Sequence, residues 1–409
     1  MSESTGQAAT PAPTPPYEYV DTLEAQAAAV SILRTLPIIG VDTEGASLYR
    51  YRDRVSLIQI SGGGNTYLFD PLALDTLTPL TEIFEARGIL KIFHGADYDI
   101  FSLKRDFGCT VGPLFDTALA ARAIGLSSCS LSGLVLRYFG VTLSKVYQKS
   151  DWSKRPLSMA QRAYAACDTT YLLALYEILA AEVRVKGRSD QMEEECRLLE
   201  ALFWADKPFD PNGYLRIQGA QALPDDAQRV LRELVAVRDG LAHKRDLPPF
   251  RIVDNDTLLR MARSKPQNPE AFSRLFPRKS AVVHRSPDLW LTGIQRGLSD
   301  DAPLPRMKKR EASSAPMTAH QRAWFSRLQA WRAEQAQQEG VEPAMVMNTE
   351  MLREIVRQGV RSETALHKIA SLRGWQIRRY GEALLRLSKP PLPPLTQPDL
   401  QRDADKTEG

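Results

Sequence analysis

The second half of this chain repeats itself. A shift of 94 residues lays Leu234-Val235-Ala236-Val237-Arg238 on Leu328-Gln329-Ala330-Trp331-Arg332. The same shift carries Pro249 to Pro343, Ile252 to Val346, Leu258 to Leu352 and Arg263 to Arg357 without a gap. Repetition at this scale marks two copies of one supersecondary module. The region beyond residue 205 reads as all-helical, so both copies are expected to be small helical domains, at 212–298 and 319–388. The segment 299–318, with Ser-Asp-Asp-Ala-Pro, Met-Lys-Lys-Arg and Ser-Ser-Ala-Pro, is expected to link them. The Pro-rich, acidic tail 389–409 is expected to lack structure.

A chain of 409 residues is too long for one hydrophobic core and long enough for two or three domains. Charge is uneven along it: residues 301–390 carry 16 Lys/Arg against 9 Asp/Glu, within a whole-chain net charge of +4. A basic C-terminal region beside a neutral N-terminal one suits a polyanionic partner. The longest apolar runs fall short of the ~20 residues of a membrane helix, so no membrane partner is expected. The first residues, MSESTGQAATPAPTPP, have neither a basic nor an apolar secretory region and are expected to form a disordered lead-in over 1–18. The four cysteines, Cys109, Cys129, Cys167 and Cys196, form no C-x-x-C pair. Reduced thiols in a cytoplasmic protein are the expectation.

Residues 19–205 are expected to be an α/β domain. Ile38-Ile39-Gly40-Val41-Asp42 is an apolar run ending in a carboxylate, and Val55–Ile60 and Tyr67–Phe69 flank a Gly62-Gly63-Gly64-Asn65 turn. Two apolar runs joined by Gly and Asn make a hairpin. The glycines lack the Lys-Ser/Thr of a phosphate loop. Ile89–Phe93 reads as a strand, a helix starts near Ala96, and Ser158–Val185 has helical apolar spacing. Strands first, with helices between and after, suggest a mixed sheet with helices packed on it.

Three acidic pieces carry the chemistry. Asp42 and Glu44 stand two apart on a strand and face the same side. Adjacent carboxylates are costly without a cation, and their hard oxygens suit Mg²⁺ or Mn²⁺. In Lys91-Ile-Phe-His94-Gly95-Ala96-Asp97-Tyr98-Asp99 a strand meets a helix whose first turn holds two aspartates. In Tyr164-Ala-Ala-Cys-Asp168 a phenol and a carboxylate share one helix face. Alone, each piece is as easily a solvated strand end, a helix-dipole partner or a capped tyrosine.

Together, and in this order, they match the four-acid proofreading-exonuclease superfamily. With Leu114-Phe-Asp-Thr117 and Ser150-Asp-Trp-Ser-Lys-Arg-Pro-Leu157 they resemble ribonuclease D and, equally, its eukaryotic relative in the nuclear exosome. The resemblance implies a ribonuclease H-like mixed sheet with flanking helices, the 3′→5′ exonuclease fold. It implies a two-metal site held by Asp42, Glu44, Asp99 and Asp168, with Tyr164 orienting a water. The aspartate five residues after the histidine is the one it selects, hence Asp99 rather than Asp97. His94, Trp152, Lys154, Arg155 and Arg162 are the candidates for nucleic-acid contact. Leu231-Arg-Glu-Leu, Arg238-Asp239, Asp246-Leu-Pro-Pro-Phe250 and Leu258-Leu-x-Met-Ala262 resemble the HRDC domain that accompanies ribonuclease D and RecQ-type helicases. The second copy departs further from it, though it keeps Leu372-Arg-Gly-Trp375; Trp331, Trp375 and Arg378 could lie on an RNA-facing surface or, for the tryptophans, in a core.

The implied activity is removal of nucleoside 5′-monophosphates from RNA 3′ ends, such as those of tRNA precursors or other structured RNA, with two Mg²⁺ or Mn²⁺ ions and no obligate protein partner. The acids themselves detect no 2′-hydroxyl, so a DNA 3′→5′ exonuclease stays open. A catalytically silent nucleic-acid-binding scaffold is the rival from another class, opposed by the filling of all five catalytic positions.

Overall fold

The computed structural model of the chain describes residues 10–205, 208–276, 286–305 and 317–388. A tight hairpin starts the sheet. Strand β4 (Val55–Gly62) turns back into β5 (Asn65–Phe69) through Gly63 and Gly64, whose φ angles are 61° and 84°. Both central residues of this two-residue loop need positive φ, which glycine adopts without strain. The expected hairpin is present. On its other side β4 pairs antiparallel with β3 (Ile38–Gly45), and β3 pairs parallel with β6 (Leu90–Phe93).

The six-stranded sheet runs β2-β5-β4-β3-β6-β7, with β2 at Tyr17–Val20 and β7 at Leu114–Asp116. Strand β3 is therefore central, flanked on both sides. Its residues Ile39 and Val41 are fully buried, as are Leu57, Ile58 and Ile60 of β4. The short strand β1 (Thr10–Pro11) pairs parallel with β8 (Val141–Thr142). The lead-in expected over 1–18 is corrected from Thr10 onward: β1 and β2 satisfy their backbone groups on neighbouring strands. Residues 1–9 lie outside the described residues, as do the linker residues 306–316 and the tail 389–409.

Helix α1 (Leu23–Leu33) starts on the Thr22 side chain, and α2 (Thr78–Glu85) precedes β6. Helix α3 (Asp97–Phe107) follows β6, and α4 (Thr117–Ala123) follows β7. After α5 (Leu131–Phe139) come α6 (Met159–Thr170), α7 (Leu172–Val185) and α8 (Ser189–Glu200). Helix α6 opens with a capping box between Ser158 and Gln161.

The chain divides into two compact units. One holds Met1–Ala121, Ser128–Glu182 and Glu195–Glu311; the other holds Arg122–Ser127, Val183–Glu194 and Ala312–Gly409. The expected block at 19–205 is thus not closed on itself. Within the second unit, Glu194 accepts from the backbone N–H groups of Gly374 and Trp375, at 2.6 and 2.8 Å. Arg188 pairs with Glu339, and Asp190 with Arg378 and Arg379. Arg378 is thereby engaged, and Trp375 is buried in the core with Tyr380, while Trp331 packs against it. The core reading of the two tryptophans holds.

The 94-residue repeat survives to the level of helix ends. In the first module α9 spans Asp225–Arg245, α10 Pro249–Ile252 and α11 Asn255–Ser264. In the second, α14 spans Ala319–Glu339, α15 Pro343–Val346 and α16 Thr349–Gln358, each shifted by the same amount. Asp254 and Asn348 cap equivalent helices with equivalent side-chain bonds. One arginine recurs inside both modules. Arg238 donates to the Val253 carbonyl and Asn255, at 3.2 and 2.8 Å, and Arg332 to the Met347 carbonyl and Thr349, at 3.0 and 3.2 Å. Between α11 and the first module's last helix lies α12 (Pro269–Leu275); that last helix, α13 (Pro287–Ser299), and its counterpart α18 (Gly374–Ser388), which follows α17 (Glu363–Leu366), no longer keep the shift.

Replacing Arg332 with Met removes a donor that serves a helix-start carbonyl and leaves that carbonyl unpaired, a loss of about 1–3 kcal/mol. Arg332→Met is expected to speed hydrogen exchange across Ala319–Ser388 and to leave Asp225–Ser264 unchanged; the peptide-level exchange pattern checks both.

Candidate active site

Strand β3 carries Asp42 and Glu44 on one face, and the register shift between Glu44 and Gly45 ends its regular pairing there. Helix α6 brings Tyr164 and Asp168, one turn apart, over the same strand end. One carboxylate oxygen from each of Asp42, Glu44 and Asp168 lies within 4.8 Å of the others, the one group of this kind among the described residues. Asp99, third in helix α3, stands outside that triad. It is joined to it through Thr43, whose hydroxyl donates 2.6 Å to Asp99 Oδ1.

Four carboxylates so close strain one another electrostatically. Burial pushes the Asp42, Glu44 and Asp99 carboxyls well above their ordinary range, and neighbouring carboxylates push them further. Burial lifts Asp168 to about 7, against a hydrogen bond from Tyr164 that lowers it. The Tyr164 phenol is also raised, first by burial and then by the charges of Asp168, Glu44 and Asp42. An all-oxygen set of desolvated acids is the donor chemistry of a hard divalent cation. The residues fit such an ion.

Asp42, Glu44 and Asp168 line a cleft of about 370 Å³ together with Ser132, Lys145 and Gln148. His94 also lines it. Thr117 gives its one hydroxyl proton to the Phe93 carbonyl at 2.9 Å, so it must accept from His94 Nδ1, also at 2.9 Å. In the neutral ring the lone pair then sits on Nε2.

Asp116 is the functional support that the sequence reading missed. It is buried, and its carboxylate accepts from the backbone N–H groups of Gly95, Ala96, Ala118 and Leu119, at 2.8–3.1 Å. One side chain therefore fixes the starts of two helices, including the one that presents Asp99. The signal was present in the Leu114-Phe-Asp-Thr117 motif. Its role depends on β6 and β7 being neighbours, which no local spacing reveals. Lys91 is likewise internal, buried and held by the Ala86 and Gly112 carbonyls at 2.6 and 2.8 Å, with its pKa lowered by burial to about 8.

Of the five residues expected to meet nucleic acid, two are corrected. Trp152 is buried against Leu57, Leu68, Leu157, Ala165 and Ala166. Arg155 forms a two-pronged ion pair with Asp70, both contacts at 2.6 Å, and donates to the Ser56 and Trp152 carbonyls. Its planar fork is occupied in closing β5, not offered to a ligand. Arg162 lies over the Tyr19 ring, 3.6 Å from its centre. Lys154 is exposed, with Asp151 at 3.9 Å, and neither residue is among those lining the acidic cleft. Asp97 is exposed at the start of α3, as a helix-dipole partner would be.

Comparison with known proteins agrees with this layout. Residues 17–184 match the 3′-5′ exonuclease family model, and 227–292 and 321–387 both match the HRDC domain. The chain is 30% identical over 375 residues to a ribonuclease D of Acidiphilium cryptum, covering 90% of this chain and 92% of that one. It is 28% identical over 353 residues to a ribonuclease D of Pseudomonas paraeruginosa, covering 86% and 92%. The crystal structure of Escherichia coli RNase D superimposes with a TM-score of 0.65 at 24% identity, over 91% of this chain and 98% of that one, and so shares the fold. A 3′-5′ exonuclease sheet, two HRDC domains and near full-length similarity show that the chain belongs to the ribonuclease D family.

Proposed function

We infer that this chain is a 3′→5′ exoribonuclease that releases nucleoside 5′-monophosphates one at a time. The triad of Asp42, Glu44 and Asp168 within 4.8 Å carries the reading, because it is placed in the family's exonuclease domain and complete. A silent scaffold would have no reason to keep four desolvated acids together.

Asp42, Glu44 and Asp168 would hold one divalent ion, and Asp99 would serve a second together with Asp42; Mg²⁺ or Mn²⁺ suits these oxygens. Bound there, the cations supply charge that offsets the carboxylates, lowers the pKa of water and eases departure of the 3′ oxygen. The protein residues do the positioning. Tyr164 is a phenol with a reference pKa of ~10, too weak an acid to serve unaided as the base. It holds and aims a water at the phosphorus, and its hydrogen bond to Asp168 fixes the phenol's direction. His94, held through Nδ1, faces the cleft where the terminal nucleotide would lie.

Structured RNA with a free 3′ end, including tRNA precursors, is the proposed substrate. The charge excess of residues 301–390 and the paired HRDC domains support it, since backbone contacts suit structured RNA better than base readout. That the four cysteines form no C-x-x-C pair supports a cytoplasmic setting.

Asp42→Asn or Asp168→Asn removes a charged ligand at constant volume. Each is expected to lower turnover on labelled single-stranded RNA to background while RNA retention on filters persists. Turnover near wild type in either variant would remove the triad from the chemistry.

Asp99→Asn is expected to be nearly inactive and Asp97→Asn nearly normal, with stability lowered by at most about 1 kcal/mol in the latter. The same length-resolved RNA assay compares them, and the opposite ranking would exchange their roles.

Carboxyls whose folded pKa is raised favour the metal-free fold at low pH. That stability is lost as pH rises through the folded values, about 7 for Asp168. A divalent cation reverses the penalty by holding the ionised forms. Mn²⁺ should therefore raise the melting temperature more above about pH 7 than below it, and EDTA should abolish the difference.

A further inference from the structure

A second groove, of about 520 Å³, is lined by Arg50, Arg52, Arg54, Ser153, His243 and Asp246. Its walls come from the exonuclease domain and from the C-terminal end of α9, in the first HRDC domain, within one compact unit. The arginines belong to the β3–β4 loop, and that loop is firmly held. Tyr51 donates to both carboxylate oxygens of Asp239 at 3.0 Å and meets the His243 ring edge-on at 5.3 Å. Asp53 accepts from Tyr98 at 2.5 Å and Arg105 at 3.2 Å, and Arg251 lies 4.2 Å over the Tyr49 ring. The odd-numbered residues anchor the loop while Arg50, Arg52 and Arg54 face the groove.

The charges there do not cancel. One acid, Asp246, serves Arg50 at 3.6 Å, and accepts from the Arg52 backbone N–H at 3.4 Å. The Arg52 guanidinium meets a histidine nitrogen, His243 Nε2, at 3.1 Å, which must accept because arginine can only donate. Among the described residues no acid pairs with Arg54. Two exposed guanidiniums, Arg52 and Arg54, with no paired carboxylate among the described residues, suit phosphate oxygens. Ala46 lines this groove two residues beyond Glu44, about 7 Å along the chain.

We propose that this groove holds backbone phosphates of the RNA strand upstream of the bond being cut. The proposal rests on the exoribonuclease reading and adds a place for the strand to lie. RNA whose 3′ end enters among Asp42, Glu44 and Asp168 passes over Arg54 and Arg52 within its next few nucleotides. The exonuclease domain and the first HRDC domain then grip the strand jointly, and length dependence is built into the loop after β3.

The test uses the full-length chain with Arg52 and Arg54 both changed to Gln, assayed on long unstructured RNA and on an RNA dinucleotide over a range of salt. KM on long RNA is expected to rise about tenfold. The slope of log KM against log salt should flatten by about 0.7 for each arginine removed, and kcat/KM on the dinucleotide should stay at the wild-type value. The same pair of changes in an Asp42→Asn background should weaken retention of the long RNA equally. Unchanged KM and slope would overturn the proposal. So would an equal loss on the dinucleotide, which would mean that the loop acts by shaping the acidic cleft. Altered inhibition by inorganic phosphate with long RNA unaffected would show a site for a free anion and also overturn it. If the wild-type chain degrades neither RNA, the exoribonuclease reading fails first and this subsite falls with it.

Discussion

Mutual repulsion among buried carboxylates is the constraint around which this domain is arranged. Asp42, Glu44, Asp99 and Asp168 come from a central strand and two helices, and each has its pKa raised. Left alone, such acids would move apart or stay protonated. They are held because strand β3 is flanked on both sides, because Asp116 locks the start of the Asp99 helix, and because a capping box fixes α6. The energy that would separate the carboxylates would become affinity for a divalent cation held among them, so rigidity of the frame and strength of such a site would be one property.

The same logic divides the polar residues of the acidic and basic motifs into two kinds. Those with unsatisfied charge face the cleft: Asp42, Glu44 and Asp168. Those whose charge is fully answered hold the frame. Arg155 is matched by Asp70, which also accepts from Tyr19 at 2.5 Å, and Lys91 is matched by two carbonyls. Motif membership does not separate them. Both kinds sit in stretches that look functional, and only the partner lying across the sheet tells which is which.

This explains how far the sequence could be read. The strand with Asp42 and Glu44, the hairpin at Gly63-Gly64 and the helix face of Tyr164 and Asp168 depend on local periodicity, and these elements lie where expected. What escaped was non-local. Asp116 serves the start of a helix twenty residues away, Trp152 fills a core built from β4, β5 and α6, and Glu194 reaches Gly374 far along the chain. The opening segment misled for another reason. Pro and Thr suggested disorder, yet short strands such as Thr10–Pro11 and Tyr17–Val20 are stabilised by their neighbours' edges rather than by their own composition.

The two HRDC domains show which parts of a module are free to change. Helix ends, caps and the Arg238/Arg332 clip keep the 94-residue register, because each is tied to backbone groups whose positions define the module. At the left-handed ends of α9 and α11 the first copy has Asp246 and Lys265, with φ of 48° and 46°, where the second has Gly340 and Gly359. Left-handed backbone is costly for residues other than glycine. The side chains there are engaged: Asp246 reaches Arg50 and the Arg52 backbone, and Lys265 pairs with Asp226. The first copy thus accepts local strain at Asp246 to make a contact with the exonuclease domain that glycine cannot make. The second has no such demand on that turn and keeps the relaxed residue, while its acidic partners come from α8 instead. One repeated frame has been fitted to two different neighbours by changing its turn residues and leaving its core alone.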